Sequence, residues 1–138
     1  MTAAIVDTNI AVYAYDPADP RKQQRAQDLL RELSQQEELF LSAQVLNEFS
    51  AVLLKRGTGR PNVEILEIVR ELASLGTVLP LTEAATWLAL RAVGEHKLSF
   101  WDALIWATAR IQGLPRVYSE DFQHGRVLDG VEFINPFL

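Results

Sequence analysis

The chain opens on a short apolar run, Ala3-Ala4-Ile5-Val6, that stops at an acid, Asp7. A run of this length, with no polar residue in it, reads as a strand buried on both faces. Similar short runs recur at Leu39-Phe40-Leu41, Thr77-Val78-Leu79, Arg116-Val117-Tyr118 and Val131-Glu132-Phe133-Ile134. Between the first four runs lie longer segments with apolar residues at helical spacing. That alternation predicts an α/β fold, three layers in α/β/α order, with a small central parallel sheet flanked by helices. In such a fold, ligands collect at the carboxyl ends of the strands.

The helical segments have legible limits. Residues 8–15 form a short helix closed by Asp16-Pro17. Residues 21–36 carry Ala26, Leu29, Leu30 and Leu33 on one face. Ser42 fits an N-cap for a helix whose stripe is Val45, Leu46, Phe49, Val52 and Leu53, stopped by Gly57-Thr58-Gly59. Pro61 suits the first turn of the next, with Val63, Leu66, Ile68, Val69 and Leu72 as its apolar positions. Thr82 and Glu83 open a helix bearing Trp87, Leu88, Leu90 and Val93. Ser99 caps residues 100–112, which end at Gly113 with Pro115 beyond.

A length of 138 residues suits one domain, spanning residues 1–138, with a real core. Cysteine is absent, which removes disulfides, thiolate metal sites and a thiol nucleophile together. The N-terminal residues lack the pattern of a signal peptide. No apolar run approaches the ~20 residues that span a bilayer. The expectation is a soluble cytoplasmic protein with no membrane partner. The net charge of −5 argues against a nucleic-acid binder. Acids gathered around a cation, however, count in that total while presenting a neutralised face to a phosphate. Two basic clusters, Arg21-Lys22 with Arg25 and Lys55-Arg56 with Arg60, read as solvated helix surface.

Four acids stand where folding alone gives them little reason to be: Asp7, Glu48, Asp102 and Asp121. A carboxylate beside a buried surface is costly unless something pairs with it, and one divalent cation can pair with several. Oxygen-only ligand sets favour Mg²⁺ or Mn²⁺. Asp7 also fits an N-cap, with Thr8 and Asn9 able to orient its carboxylate or to serve as turn residues. Glu48 lies on the flank of its helix's apolar stripe, where a glutamate either reaches water or enters a cleft beside the sheet. Asp102 interrupts a helix that is apolar nearly all round, and Ser99-Phe100-Trp101-Asp102 also matches a capping box. Asp121 has Glu120 as a rival in Ser119-Glu120-Asp121. Two cations about 4 Å apart can activate water and stabilise a leaving oxygen in phosphodiester hydrolysis.

Taken together, the chain resembles the PIN-domain nucleases, and among them the VapC-type toxins. Asp7-Thr8-Asn9 resembles the family's first motif and Asn47-Glu48-Phe49 its second. Ser99 to Ile105 is similar to the third and most specific; Ser119-Glu120-Asp121-Phe122 resembles the fourth. The resemblance implies that Asp7, Glu48, Asp102 and Asp121 are metal ligands and catalytic residues, with Thr8, Asn9 and Ser119 supporting them. It implies Mg²⁺- or Mn²⁺-dependent endoribonuclease activity on RNA, a cognate antitoxin that blocks the site, and a homodimer. Gln123 stands where the family often has another acid.

Rival readings are a catalytically silent PIN-like binding or scaffold module and a flap-type DNA nuclease, for which this chain is short. A haloacid-dehalogenase-type phosphatase would need an Asp where Asn9 stands. His96 and His124 read as surface residues. Trp87, Trp101 and Trp106 fall on helical periodicities and read as core.

Overall fold

The computed structural model describes residues 2–55 and 59–138. Arg56 of the second basic cluster and Gly57-Thr58 of the expected helix stop lie outside the described residues. Along the chain come β1 (Ala4–Val6), α1 (Thr8–Tyr15), α2 (Pro20–Gln35), β2 (Leu39–Ser42), α3 (Ala43–Lys55) and α4 (Asn62–Ser74). Then follow β3 (Thr77–Leu79), α5 (Glu83–His96), α6 (Phe100–Ile111), β4 (Arg116–Tyr118), β5 (Val127–Leu128) and β6 (Val131–Ile134).

Local chemistry sets the helix starts. The Ser42 hydroxyl accepts from the Val45 amide at 3.2 Å, Thr82 from Ala85 at 3.2 Å, and Ser99 from Asp102 at 3.2 Å. Each satisfies one amide that the first turn leaves without an internal partner. Helix α2 begins at Pro20, one residue before its apolar periodicity, because the Asp19 carboxylate caps the Lys22 amide at 3.1 Å and Pro20 fits the first position. Pro61, in contrast, takes the N-cap position and α4 starts behind it at Asn62.

The strands form one sheet in the order β3-β2-β1-β4-β6-β5. All neighbours are parallel except β5 and β6. From β1 the chain steps outward to β2 and β3, then returns past β1 to β4. Right-handed crossovers therefore place α1–α4 on one face and α5–α6 on the other. The reversal between β1 and β4 is the switch point at which such sheets open a crevice.

The parallel sheet of the sequence reading thus gains one antiparallel edge. It is a hairpin turning on Asp129 and Gly130, both at positive φ (48° and 80°), the backbone that a two-residue Asp-Gly turn requires.

The core is continuous across both layers. Ala4, Ile5 and Val6 are fully buried, as are Leu41, Val117 and Phe133 from the flanking strands. Ala103 through Ala109 of α6 are all buried, so that helix is enclosed, as its composition implies. Trp106 anchors it, and its indole N–H donates to the Leu128 carbonyl at 3.1 Å.

The other two tryptophans are not core. Trp87 is 56% and Trp101 59% exposed. Trp87 faces out from α5, its indole N–H donating to Glu83 at 3.2 Å. Trp101 lies in the first turn of α6, beyond the layer that buries Ile105. Between α4 and β3, Gly76 lets the backbone pass close to β2: a Cβ there would sit 2.4 Å from the Leu39 carbonyl oxygen.

Candidate metal centre

Strand β1 carries Asp7 to the switch point, one residue past its last strand position. The Asp7 amide donates to the Tyr118 carbonyl of β4 at 2.9 Å, and the Ser119 amide donates to the Ile134 carbonyl of β6 at 2.9 Å. Parallel pairing of Val6 with Tyr118 therefore sets Asp7 beside Ser119. Residues 112 apart in sequence meet there: the Ser119 hydroxyl donates to Asp7 Oδ2 at 2.8 Å. The other oxygen, Oδ1, accepts from the Thr8 amide at 2.7 Å as the N-cap of α1. Capping and site chemistry coexist in one side chain.

Ser119, fully buried, is the hub. Its oxygen also accepts from Asn9 Nδ2 at 3.1 Å and from the Asp121 amide at 3.1 Å. Asn9 Nδ2 further donates to Asp121 Oδ2 at 3.1 Å, and Asn9 Oδ1 accepts from the Glu120 amide at 3.4 Å. Asn9 thus fixes the 119–121 loop rather than Asp7. Thr8 serves Asp7 through its backbone alone; its hydroxyl is buried without a hydrogen-bond partner.

The third acid arrives from the opposite helical layer. Because α6 runs back toward β4, its N-terminus lies at the carboxyl end of the strands. Asp102, in its first turn, is half-buried there. Asp7, Asp102 and Asp121 each offer a carboxylate oxygen, and these oxygens all lie within 4.8 Å of one another. Among the described residues none of the three forms an ion pair.

The electrostatic cost is visible in their acidities. Burial lifts the Asp7 carboxyl from 3.8 to about 6. Bonds from Ser119 and the Thr8 amide oppose the rise, and the nearby Asp102 and Asp121 charges add to it. Asp102 is raised too, first by burial and then by Asp121, with Ser99 pulling the other way. An octahedral Mg²⁺ with ligands at about 2.1 Å holds oxygens roughly 3–4 Å apart. Three carboxylate oxygens this close, none of them ion-paired among the described residues, fit a hard divalent ion in charge and in donor type.

Glu48 stands outside that trio. It is half-buried on α3, where Gln44 Nε2 donates to its Oε1 at 2.8 Å. Glu120 turns away from the trio. Its two oxygens accept from the Tyr13 hydroxyl at 2.6 Å and from Lys22 Nζ at 2.8 Å, whereas Asp121 is the acid of that loop that lies with Asp7 and Asp102. Lys22 lies over the Tyr13 and Phe137 rings, at 4.7 and 5.2 Å from their centroids.

The first basic cluster is therefore not free surface. Arg21 Nη1 donates to the Phe137 carbonyl at 3.4 Å and Arg25 Nε to the Pro136 carbonyl at 3.0 Å. Sequence reading missed this clamp, because nothing in the spacing of cations names a distant carbonyl as their partner. The histidines stay peripheral to the acids: His124 Nδ1 accepts from the Asn135 amide at 3.0 Å, and His96 packs against Trp106 with ring centroids 6.2 Å apart.

The PIN domain profile matches residues 4–128. The chain belongs to the PIN-domain family. That match takes in the strand end at Asp7, the α6 turn at Asp102 and the loop at Asp121. Solved PIN-like structures share the fold. The chain is similar to VapC20 of Mycobacterium tuberculosis, described as a sarcin-ricin loop cleaving toxin, at 23% identity and a TM-score of 0.70, covering 92% of this chain and 98% of that one. It is similar to a chain of the VapBC2 complex of Rickettsia felis bound to a promoter DNA fragment, at 15% identity and TM-score 0.73, covering 95% and 96%. A toxin-antitoxin complex from Klebsiella pneumoniae contains another similar chain, at 16% identity and TM-score 0.68, covering 97% and 98%. Among curated protein sequences nothing matches significantly.

Proposed function

We propose that this PIN-domain chain is a Mg²⁺- or Mn²⁺-dependent endoribonuclease and the toxin of a type II toxin–antitoxin pair. One observation carries the catalytic part: three carboxylates, from the end of β1, from α6 and from the loop after β4, converge at the switch point with no ion-pair partner among the described residues. A bound divalent cation would supply positive charge to the scissile phosphate and lower the pKa of the attacking water. Asp7, Asp102 and Asp121 bind the ion. Ser119 and Asn9 orient two of those carboxylates through four hydrogen bonds. Glu48 reaches the ion directly or through water.

RNA as substrate is supported by the similarity to VapC20, a sarcin-ricin loop cleaving toxin. An antitoxin partner is supported by the complexes in which similar chains occur. Apolar side chains left exposed on α4 and α5, Val63, Leu66, Trp87 and Leu90, supply surface for that partner or for a homodimer. Among the described residues no helix is long and apolar enough to cross a membrane; it is the proposed RNA substrate and antitoxin partner that put the activity in the cytoplasm.

The test is RNA cleavage by the wild type and by Asp102→Asn, each with Mn²⁺ and with EDTA. We expect cleavage only by the wild type with metal, and a loss on the order of 100-fold or more in the variant. Equal cleavage by a folded Asp102→Asn protein would overturn the reading. A wild type that fails to bind Mn²⁺ in a calorimeter would favour the scaffold alternative instead.

A further inference from the structure

Gln44 carries chemistry that the proposed reaction leaves unused. It lies in the first turn of α3 and is only 3% exposed. Its Nε2 makes two hydrogen bonds, to Glu48 Oε1 one turn further along at 2.8 Å and to the Trp101 carbonyl in the first turn of α6 at 3.0 Å. Both partners are acceptors, so the amide orientation is fixed: the opposite rotamer would set its oxygen against a carboxylate and a carbonyl. That leaves Oε1 buried with no hydrogen-bond partner among the described residues.

An unpaired buried acceptor is destabilising, and methionine or leucine would fill similar space without one. Packing therefore gives no reason for a glutamine here. The geometry does. The amide links the carboxylate of α3 to the residue immediately before Asp102, across two helices that lie on opposite faces of the sheet. Glu48 on the flank of α3 would otherwise extend to water.

We propose that Gln44 is a positioning residue, holding the Glu48 carboxylate toward Asp102 so that the fourth acid serves the cation. This rests on the metal-dependent reading above. Partners that orient ligand side chains typically change metal affinity by about 10- to 100-fold when removed.

The experiment is Mn²⁺ titration by calorimetry of wild type, Gln44→Met, Glu48→Gln and the double variant, with melting midpoints recorded without metal. We expect Gln44→Met to weaken Mn²⁺ binding about 10-fold, and to add less than about 2-fold once Glu48→Gln is present. Gln44→Asn, too short to make both bonds, is expected to behave like Gln44→Met and covers the case in which the methionine variant does not fold. Unchanged Mn²⁺ affinity in both Gln44 variants would overturn the proposal, and so would an equal loss in the Glu48→Gln background. A wild type that binds no Mn²⁺ would instead remove the metal-dependent reading beneath it.

Discussion

Replacing Asp7 with asparagine should stabilise the metal-free protein at neutral and alkaline pH while abolishing its metal chemistry. The Asp7 carboxyl titrates at about 6 in the fold against 3.8 ordinarily. At ~1.36 kcal/mol per pH unit, holding that charge costs the metal-free fold about 3 kcal/mol once the site is ionised. The sign follows from the order of titration. Below 3.8 both folded and unfolded chains are protonated and there is no cost. Between 3.8 and about 6 the unfolded chain ionises first, so stability falls with rising pH, and above that range the cost is constant.

Asparagine removes the charge. It keeps one carbonyl oxygen for the Thr8 amide but cannot also accept the Ser119 proton, a loss of about 1 kcal/mol. In EDTA, urea unfolding should therefore show Asp7→Asn about 2 kcal/mol more stable than wild type near pH 8 and about 1 kcal/mol less stable near pH 3.5. Saturating Mn²⁺ should then raise the wild type by about 2.7 kcal/mol at a hundred times its dissociation constant, and leave the variant nearly unmoved. A variant less stable than wild type near pH 8 in EDTA, or a difference that ignores pH, would refute the reasoning.

Two further outcomes follow from the same geometry. Mn²⁺ affinity should fall as pH drops through about 6, because the ion requires the ionised form of Asp7; calorimetry at several pH values reads this directly, and a flat profile counts against Asp7 as a ligand. Gly76→Ala should destabilise the fold by about 1–3 kcal/mol by urea unfolding, since the added methyl meets the Leu39 carbonyl, which cannot swing aside, as well as the buried Leu39 side chain.

Much of this architecture was legible in the chain, because period-two and period-3.6 patterns report burial directly. Strand ends and helix starts were readable to within a residue where a cap or a proline marks them, as at Ser42, Ser99 and Pro61. Asp7 and Asp102 were identifiable because an acid in an apolar context has few structural excuses, and Asp121 only because it follows a strand end in a loop that also holds Glu120. The sequence also contained the Asp129-Gly130 hairpin signal, but Val127-Leu128 is too short to announce a strand without its partner. Other features depend on tertiary position. Trp87 and Trp101 share the periodicity of buried residues, yet lie where no neighbouring layer covers them. Glu120 is held apart from Asp121 by Tyr13 and Lys22, 107 and 98 residues away in sequence, and no local pattern contains that.

The strand that bears Asp7 sits between β2 and β4, and its seryl partner lies 112 residues downstream. A ribosome making this polypeptide must thus pass Ser119 before the acidic cluster can close. Any fragment that terminates ahead of Ser119 has neither the hydroxyl that steadies Asp7 nor the carboxylate of Asp121. Chains released early would lack this constellation, and the proposed hydrolytic capacity would be confined to those in which Asp7 and Ser119 have already met.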